Sequence, residues 1–366
     1  MNHAFHPGRP WYDTNGNRIQ AHGGSVLYAD GEYFWYGENK EFTDGISPIW
    51  HWGVRCYRSR DLYNWEDCGL IIPPEPEDVT SSIHPHRCMD RPHILFNAAT
   101  GKYVCWLKIM NPDGTQSMTI LTADQILGPY TKVRENFRPH GMSSGDFDLA
   151  VDENGKAYYY FERVHSDLIC AELTDDYLDV TAHYSIHFPR SNPPFVREAP
   201  AHFFRNGRHY LLTSGTTGYR PNPSEAAIAT DWHGPFQVLG DPHPGDLSRT
   251  SFHSQISCVF RVRDKKDLYI ACGDRWLPEY MDAQYPEYAK MYEALFDPSV
   301  EILPLLRQIA ARTGQPAPDD DPRGFIRRQK PIANTRIADY VWLPIRFDGE
   351  MPILDWHDSW SLDDYE

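Results

Sequence analysis

The chain has 366 residues, of which 41% are hydrophobic and 14% aromatic, enough to bury one large core. With 35 basic against 51 acidic residues, its formal charge is −16, which excludes the basic face that nucleic-acid binding requires. No stretch approaches the ~20 apolar residues of a membrane span, so neither nucleic acid nor a membrane is an expected partner, and the oligomeric state stays open.

Short strands joined by tight turns dominate the chain. The first predicted hairpin has strands at Ser25–Tyr28 and Tyr33–Tyr36 around the turn Ala29–Gly31. Four more hairpins are predicted around the turns 97–101, 152–155, 205–207 and 263–267. Repeats of about 40–60 residues with several strands each are typical of propellers. We therefore predict an all-β fold, a single five-bladed β-propeller over residues 1–366 with inner strands around a central channel.

One region departs from the strand pattern. Residues 277–330 are rich in Glu, Lys, Ala and Leu, and the segments Tyr288–Phe296 and Leu305–Arg312 have helical periodicity. The β pattern resumes at Tyr340–Phe347. This predicts a helical insertion at about 277–330 in the fifth blade, after which residues 353–360 finish that blade or close the ring against the first.

The cysteines and the first residues bear on the cellular compartment. Seven cysteines, an odd number with no CxxC pair, indicate buried thiols in a reducing compartment. The chain begins without a charged segment followed by an apolar run. Both features favour the cytoplasm, whereas a leader removed before the first residue would make the protein secreted.

Acidic residues at the starts of predicted inner strands are the candidates for catalysis. Asp90, Asp146 and Glu198 begin strands of blades two, three and four, with spacings of 56 and 52 residues. Because the three residues occupy equivalent positions in successive blades, we expect them at the same level along the channel axis. Glycoside hydrolysis needs two such groups, one to protonate the leaving oxygen and one to activate water or attack the anomeric carbon. Taken singly, each acid has the alternative role of a turn or cap residue.

Aromatic and metal-ligating residues give weaker signals. The 11 Trp and 22 Tyr could line a sugar site, since aromatic faces stack on sugar rings, but β-sheets also favour aromatic residues. The cluster His84–Cys88 lacks a second ligand pair at zinc spacing, so no metal ligands are predicted.

Several short motifs occur in a fixed order. They are Ile19-Gln-Ala-His-Gly-Gly24, Tyr33-Phe-Trp-Tyr-Gly-Glu38, Arg91-Pro92, Ser144-Gly-Asp146, Glu198-Ala-Pro200, Ser254-Gln255, Gly273-Asp-Arg-Trp276 and Tyr340-Val-Trp-Leu-Pro344. In order and spacing they resemble glycoside hydrolase family 43, specifically its exo-β-1,3-galactanase branch, over roughly residues 11–360 apart from the insertion.

The resemblance implies an exo-acting, inverting hydrolase that releases galactose from β-1,3-galactan or arabinogalactan side chains. Glu198 matches the general acid, and Asp146 matches the carboxylate that tunes its pKa. Most of the family has a general-base Asp on the first blade, but Ala21–Ser25 carries no carboxylate here. The galactanase branch shares this absence, and Gln255 matches the glutamine thought to hold the water there through its imidic acid tautomer. A neutral amide is a poor base.

Four residues are expected to bind the sugar, namely Asp90, Glu38, Trp276 and His22. Asp90 departs from the branch, which usually has Glu there, and the shorter side chain would place the carboxylate about 1.5 Å farther from the sugar. Glu38, with Lys40, could bind hydroxyls or form an ion pair, and Trp276 could stack on a sugar or pack in the core.

The partner is therefore expected to be an oligosaccharide or polysaccharide. No cofactor is expected, and a structural calcium ion in the channel stays open. Two alternatives remain: an α-L-arabinofuranosidase or β-xylosidase of the same fold, and a catalytically silent carbohydrate-binding propeller, which the missing first-blade base motivates.

Overall fold

A computed structural model describes residues 2–190, 192–281, 284–297, 299–301, 303–304, 306–307, 311 and 333–366 of the chain. In that part of the chain, twenty strands form five four-stranded sheets, each built from strands that are consecutive in sequence. The sheets are the blades of a five-bladed β-propeller, which confirms the predicted fold class. Within the same ranges, no helix is long and apolar enough to cross a membrane.

The blades follow one another along the chain. Blade one comprises β1 (His22–Ala29), β2 (Glu32–Glu38), β3 (Val54–Ser59) and β4 (Glu66–Ile72). Blade two comprises β5 (Cys88–Asn97), β6 (Lys102–Met110), β7 (Gln116–Ala123) and β8 (Thr131–Phe137). Blade three comprises β9 (Ser144–Val151), β10 (Ala157–Arg163), β11 (Asp167–Leu173) and β12 (Val180–His187). Blade four comprises β13 (Arg197–Arg205), β14 (Arg208–Gly215), β15 (Glu225–Ala229) and β16 (Gln237–Gly240). Blade five comprises β17 (Gln255–Arg261), β18 (Tyr269–Arg275), β19 (Asp339–Asp348) and β20 (Met351–Leu354).

The five predicted hairpins are the first two strands of each blade. Two of their turns have positive φ at both central residues, 52° and 84° at Asp30 and Gly31, and 50° and 76° at Asn206 and Gly207. This geometry matches the twist of paired strands, and Asp-Gly and Asn-Gly adopt it with little strain. The local turn chemistry therefore fixes the hairpin registers.

The first strand of every blade is the innermost. Strands β1, β5, β9, β13 and β17 contact one another in that order, and β17 returns to contact β1. These five strands surround the central channel, so residues at their starts come from every blade to one end of it.

The two ends of the chain close the ring. Strand β20 completes blade five, and beyond it Trp360 pairs with Phe5 through two backbone hydrogen bonds of 2.8 and 3.2 Å. Their rings stack with centroids 4.2 Å apart. Between blades five and one, Trp342 packs edge-on against Trp35 at 4.7 Å. Residues 353–360 therefore both finish blade five and close the ring, the two roles that were predicted for them.

The predicted insertion lies between β18 and β19. Its α-helix, α1 (Tyr285–Phe296), confirms the first predicted helix and begins three residues earlier than expected. The second predicted helix, over 305–312, lies largely outside the described residues. Helix α1 packs on a loop of blade four, because the guanidinium of Arg220 lies 5.6 Å from the ring of Tyr288 and a side chain at Gly218 would meet the Tyr292 hydroxyl at 3.5 Å.

Candidate active site

The predicted catalytic residues begin the inner strands around one end of the channel. Asp90 and Asp146 are the third residues of β5 and β9, Glu198 is the second of β13, and Gln255 is the first of β17. The Lys108 ammonium lies 3.2 Å from Asp90 Oδ2 and 2.7 Å from Asp146 Oδ1. The structure thus brings the two aspartates to the same level along the channel axis, as their equivalent positions in successive blades imply.

A shift in strand register recurs near the start of three inner strands and orients the side chains there. The strand register shifts after His22, Asp90 and Glu198, and the next residue has positive φ in each case. These φ values are 61°, 54° and 48°, at Gly23, Arg91 and Ala199. Bulges of this kind re-aim side chains next to functional sites, and left-handed φ at non-glycine residues costs energy that surrounding structure must offset.

The surroundings of Glu198 favour its protonated form. Burial raises its pKa well above the usual range, the negative charges of Asp146 and Glu162 raise it further, and Lys108 and Arg91 oppose the rise only in part. The carboxyl oxygen Oε1 accepts a hydrogen bond of 3.2 Å from Gln255 Nε2. A protonated carboxylic acid that is buried but for a small exposed part can donate its proton to a bound substrate.

Asp146 has the opposite protonation state. Burial alone would raise its pKa, but Arg91 at 3.0 Å and Lys108 at 2.7 Å outweigh burial and lower the pKa to about 2. Asp146 therefore carries a fixed negative charge beside Glu198. Two carboxyl groups whose environments push their pKa values apart are the pattern of an acid and its electrostatic partner.

Asp90 is held by more partners than the sequence indicated. Its Oδ1 accepts a hydrogen bond of 2.7 Å from Trp50 Nε1 and lies 3.9 Å from the Lys40 ammonium. Its Oδ2 faces Lys108 at 3.2 Å. Sequence reasoning missed Lys108 and Trp50; the one signal for Lys108 is a lysine within an otherwise apolar strand, Tyr103-Val-Cys-Trp-Leu-Lys108.

Glu38 fills the first-blade side of the site. Its Oε2 lies 2.7 Å from the Lys40 ammonium, and its Oε1 accepts a hydrogen bond of 3.0 Å from the Arg91 backbone. Burial, only partly offset by Lys40, raises the pKa of Glu38 to about 7. A Cβ at Gly23 would lie 2.4 Å from Glu38 Oε1, so any side chain there would collide with Glu38. This collision is a physical reason for a glycine at position 23.

Gln255 uses all of its hydrogen-bonding capacity. Its Oε1 accepts from Arg91 Nη2 at 2.5 Å and from Trp276 Nε1 at 3.1 Å. Its Nε2 donates to Ser214 Oγ at 2.9 Å and to Glu198 at 3.2 Å. The amide orientation is therefore fixed by four partners. A water molecule can bind to Gln255 only by replacing one of them.

An aromatic wall lies beside the carboxylates. The ring of Tyr219, from the loop between β14 and β15, lies 5.7 Å from Trp50 and 5.1 Å from Trp276, centroid to centroid. Each tryptophan donates its indole N–H to a predicted site residue, Trp50 to Asp90 and Trp276 to Gln255. A pocket lies here, lined in part by Tyr219, Gln255 and Trp276. No sequence signal distinguished Tyr219 among the 22 tyrosines.

His22 does not reach the pocket. The side chain is fully buried, its Nδ1 lies 3.0 Å from Asp274 Oδ1, and its Nε2 lies 3.3 Å from the Tyr340 hydroxyl. Its ring also lies 5.7 Å from that of Trp276. His22 therefore supports Trp276 and Asp274 in this structure, and its contact with the sugar stays a prediction.

The carboxylates of this site are already paired with cations. Lys40 lies 2.7 Å from Glu38, Lys108 lies 3.2 Å from Asp90, and Arg91 lies 3.0 Å from Asp146. A calcium ion bound to these carboxylates would have to displace at least one lysine or arginine side chain.

The family comparison matches most of the propeller. The sequence model of glycosyl hydrolases family 43 matches residues 19–248, which include blades one to four. No curated protein matches the chain.

Solved structures of this family superpose on the chain. A GH43 β-1,3-galactosidase has a TM-score of 0.76 and 29% identity, over 100% of this chain and 65% of that protein. A second GH43 β-1,3-galactosidase, solved with galactodeoxynojirimycin, has a TM-score of 0.74 and 25% identity, over 98% of this chain and 100% of that one. The exo-β-1,3-galactanase from Clostridium thermocellum has a TM-score of 0.72 and 26% identity, over 98% of this chain and 66% of that one. This chain therefore spans less than two thirds of the first of these proteins.

Proposed function

Because this chain belongs to glycosyl hydrolases family 43, we propose that it releases galactose from the ends of β-1,3-galactan or arabinogalactan side chains with inversion at the anomeric carbon. That it is a glycoside hydrolase follows from the family and its structural relatives. The sugar, the linkage and the mechanism are our proposal.

The observation that carries the mechanism is the contrast between Glu198 and Asp146. Burial and the charge of Asp146 raise the pKa of Glu198, while Arg91 and Lys108 hold the pKa of Asp146 at about 2. Glu198 therefore keeps its proton to a higher pH than Asp146 does. Glu198 donates this proton to the glycosidic oxygen as the bond to the anomeric carbon breaks.

Water attacks the anomeric carbon from the opposite face. We assign Gln255 to hold this water, because it lies on the adjacent blade and its amide is fixed by Arg91, Trp276 and Ser214. The water gives up a proton as the new bond forms. In this proposal Nε2 of Gln255 accepts that proton in the imidic acid tautomer, whose Oε1 hydroxyl can form only if a bond donated by Arg91 or Trp276 is given up.

The exo mode rests on the aromatic wall. Tyr219 lies between Trp50 and Trp276, and in this proposal the three rings close one side of the site to a polysaccharide lying through it. A pocket accepts a chain end. In this proposal Asp90 and Glu38 supply acceptors for the hydroxyls of the terminal sugar; Glu38, buried beside Lys40, has to be uncovered when the sugar binds.

The substrate class rests on the relatives. The two GH43 β-1,3-galactosidases and the Clostridium enzyme are at least 25% identical to this chain and superpose on 98% of it or more. Asp90 is the one departure in the predicted sugar contacts. Its shared hydrogen bonds with Trp50 and Lys108 leave fewer free lone pairs for the sugar, which favours a weaker contact at that hydroxyl.

The deciding experiment is the product profile from β-1,3-galactan, arabinan and xylan, with the first-formed anomer read by NMR. We expect galactose from the galactan, appearing first as the α-anomer. Arabinose or xylose as the main product would replace our substrate with that of an arabinofuranosidase or xylosidase. First-formed β-galactose would refute inversion. Tight galacto-oligosaccharide binding without product would identify a carbohydrate-binding propeller.

A further inference from the structure

A cluster of metal-ligating side chains lies between blades three and four, on strands remote from the inner ring. It consists of Glu172 in β11, His183 in β12 and His233 in the turn between β15 and β16. The ligand atoms of all three lie within 4.8 Å of one another. Glu172 Oε1 is 2.8 Å from His183 Nδ1 and 3.4 Å from His233 Nε2.

The turn that carries His233 is fixed against blade three. The ring of Trp232 stacks on that of Tyr158 with centroids 4.1 Å apart and planes 3° apart. The Tyr160 hydroxyl donates to the Trp232 carbonyl at 2.7 Å. Packing thus sets the position of His233 relative to Glu172, and ligands held in place before the ion arrives are what a metal site requires.

A second layer of hydrogen bonds orients the His233 ring. Its Nδ1 lies 2.9 Å from Ser185 Oγ, and the same hydroxyl lies 2.8 Å from His187 Nε2. Metal-bound histidines usually make such a bond with the ring nitrogen that does not touch the metal. The other nitrogen, Nε2, is buried and faces Glu172 Oε1 at 3.4 Å, which is long for a hydrogen bond. Buried polar atoms normally have a close partner, and an ion between these two atoms would supply one.

Lys156 competes for the same carboxylate. Its ammonium lies 2.5 Å from Glu172 Oε1, and its side chain is 45% exposed. A lysine at a half-exposed position can swing into water on its flexible stem. A divalent ion would replace its charge on Glu172 and gain the two imidazoles, which the ammonium cannot use.

We propose that Glu172, His183 and His233 bind one zinc ion, with water completing the coordination, and that this ion ties blade three to blade four. Two imidazoles and one carboxylate are a donor set for zinc and similar ions, whereas calcium and magnesium require oxygen ligands. Two ligands come from blade three and one from blade four. An ion that binds only the folded chain raises its stability.

Zinc titration of the full chain, first stripped with a chelator, tests the proposal by calorimetry and by thermal unfolding. We expect one zinc ion per chain and a rise in Tm, and no rise with calcium. His183→Ala, His233→Ala and Glu172→Gln should each weaken zinc binding by about 10-fold or more, and Ser185→Ala by about 10-fold through the ring of His233. Lys156→Met should strengthen binding, because it removes the competing charge.

The matched control is His165→Ala. His165 Nδ1 lies 3.5 Å from Glu162 Oε1, a pair of one histidine and one carboxylate without a second histidine. This variant should bind zinc as the parent chain does. His183 is 62% exposed at its side chain, so its replacement leaves the fold intact and its result is readable. Absence of zinc binding at micromolar concentrations, or binding that survives both His183→Ala and His233→Ala, would overturn the proposal.

Discussion

The side-chain amide of Gln255 donates a hydrogen bond of 3.2 Å to the carboxyl group of Glu198. In inverting glycosidases the two catalytic groups stand about 6.5–9.5 Å apart, because the sugar carbon and the attacking water must fit between them. The contact therefore belongs to the sugar-free site. Binding of the terminal sugar has to separate these two residues.

We expect this separation to be visible in a crystal structure with galactose bound. The distance from Gln255 Nε2 to Glu198 Oε1 should increase from 3.2 Å to beyond about 6 Å, with a water between Gln255 and the anomeric carbon. At least one of the bonds that Arg91 and Trp276 donate to Gln255 Oε1 should persist, since they lie on the other side of the amide. A sugar bound beside an unbroken Gln255–Glu198 contact would remove Gln255 from the water-holding role.

Glu198→Gln should abolish proton donation and leave sugar binding largely intact. We expect kcat on β-1,3-galactobiose to fall by roughly 10²–10⁴-fold, the usual contribution of a general acid. A dinitrophenyl β-galactoside should lose much less, because its leaving group departs without protonation. Glu350→Gln, at an exposed surface pair with Arg208, is the matched control. Equal losses on both substrates would mean that Glu198 is not the proton donor.

Asp146→Asn should shift the alkaline limb of the kcat/KM profile to lower pH. After burial, the charge of Asp146 is the largest contribution that raises the pKa of Glu198. Removing this charge lowers that pKa, so the acid loses its proton, and the enzyme its activity, at a lower pH. Glu162→Gln removes a smaller contribution and should shift the limb in the same direction by less. A limb that stays in place or rises would contradict the tuning role.

Lys108→Met should act in the opposite direction on the pH profile and destabilise the fold. Lys108 lowers the pKa of Glu198, so its removal should move the alkaline limb to higher pH. It also leaves Asp90 and Asp146 without the ammonium between them, and breaking a buried ion pair costs about 3–5 kcal/mol of unfolding free energy. Denaturant unfolding measures this loss. Lys102→Met, at an exposed pair with Asp124, should change stability little.

Tyr219→Ala should open one side of the pocket. We expect a higher KM for galacto-oligosaccharides, by roughly 10-fold if an aromatic contact with the sugar is lost, and the appearance of products longer than one sugar. Tyr219→Phe keeps the ring and should retain the parent product profile. Tyr12→Ala, a tyrosine that is 51% exposed, serves as the control. A product profile that Tyr219→Ala leaves unchanged would show that the exo mode has another cause.

The site residues at the starts of inner strands could be predicted from the sequence, but those on loops could not. Turn chemistry at Asp30-Gly31 and Asn206-Gly207 is local, so the hairpins, the blade count and the strand starts could be predicted. Trp50 and Tyr219 lie on loops of blades one and four, about 170 residues apart in sequence, and meet only because the ring closes. His22 has the strand position of a site residue, yet its burial makes it a support.

The sequence by itself determined which side chains stand at the starts of the inner strands, because alternation and turn residues are encoded within each repeat. Only the tertiary structure decided what those side chains do. Glu198 and Asp146 are ordinary carboxylic acids in the sequence, but burial and neighbours contributed by blades two and three raise the pKa of one and lower that of the other. A pKa depends on solvation and on charges within a few ångströms, and those distances exist only in the closed propeller.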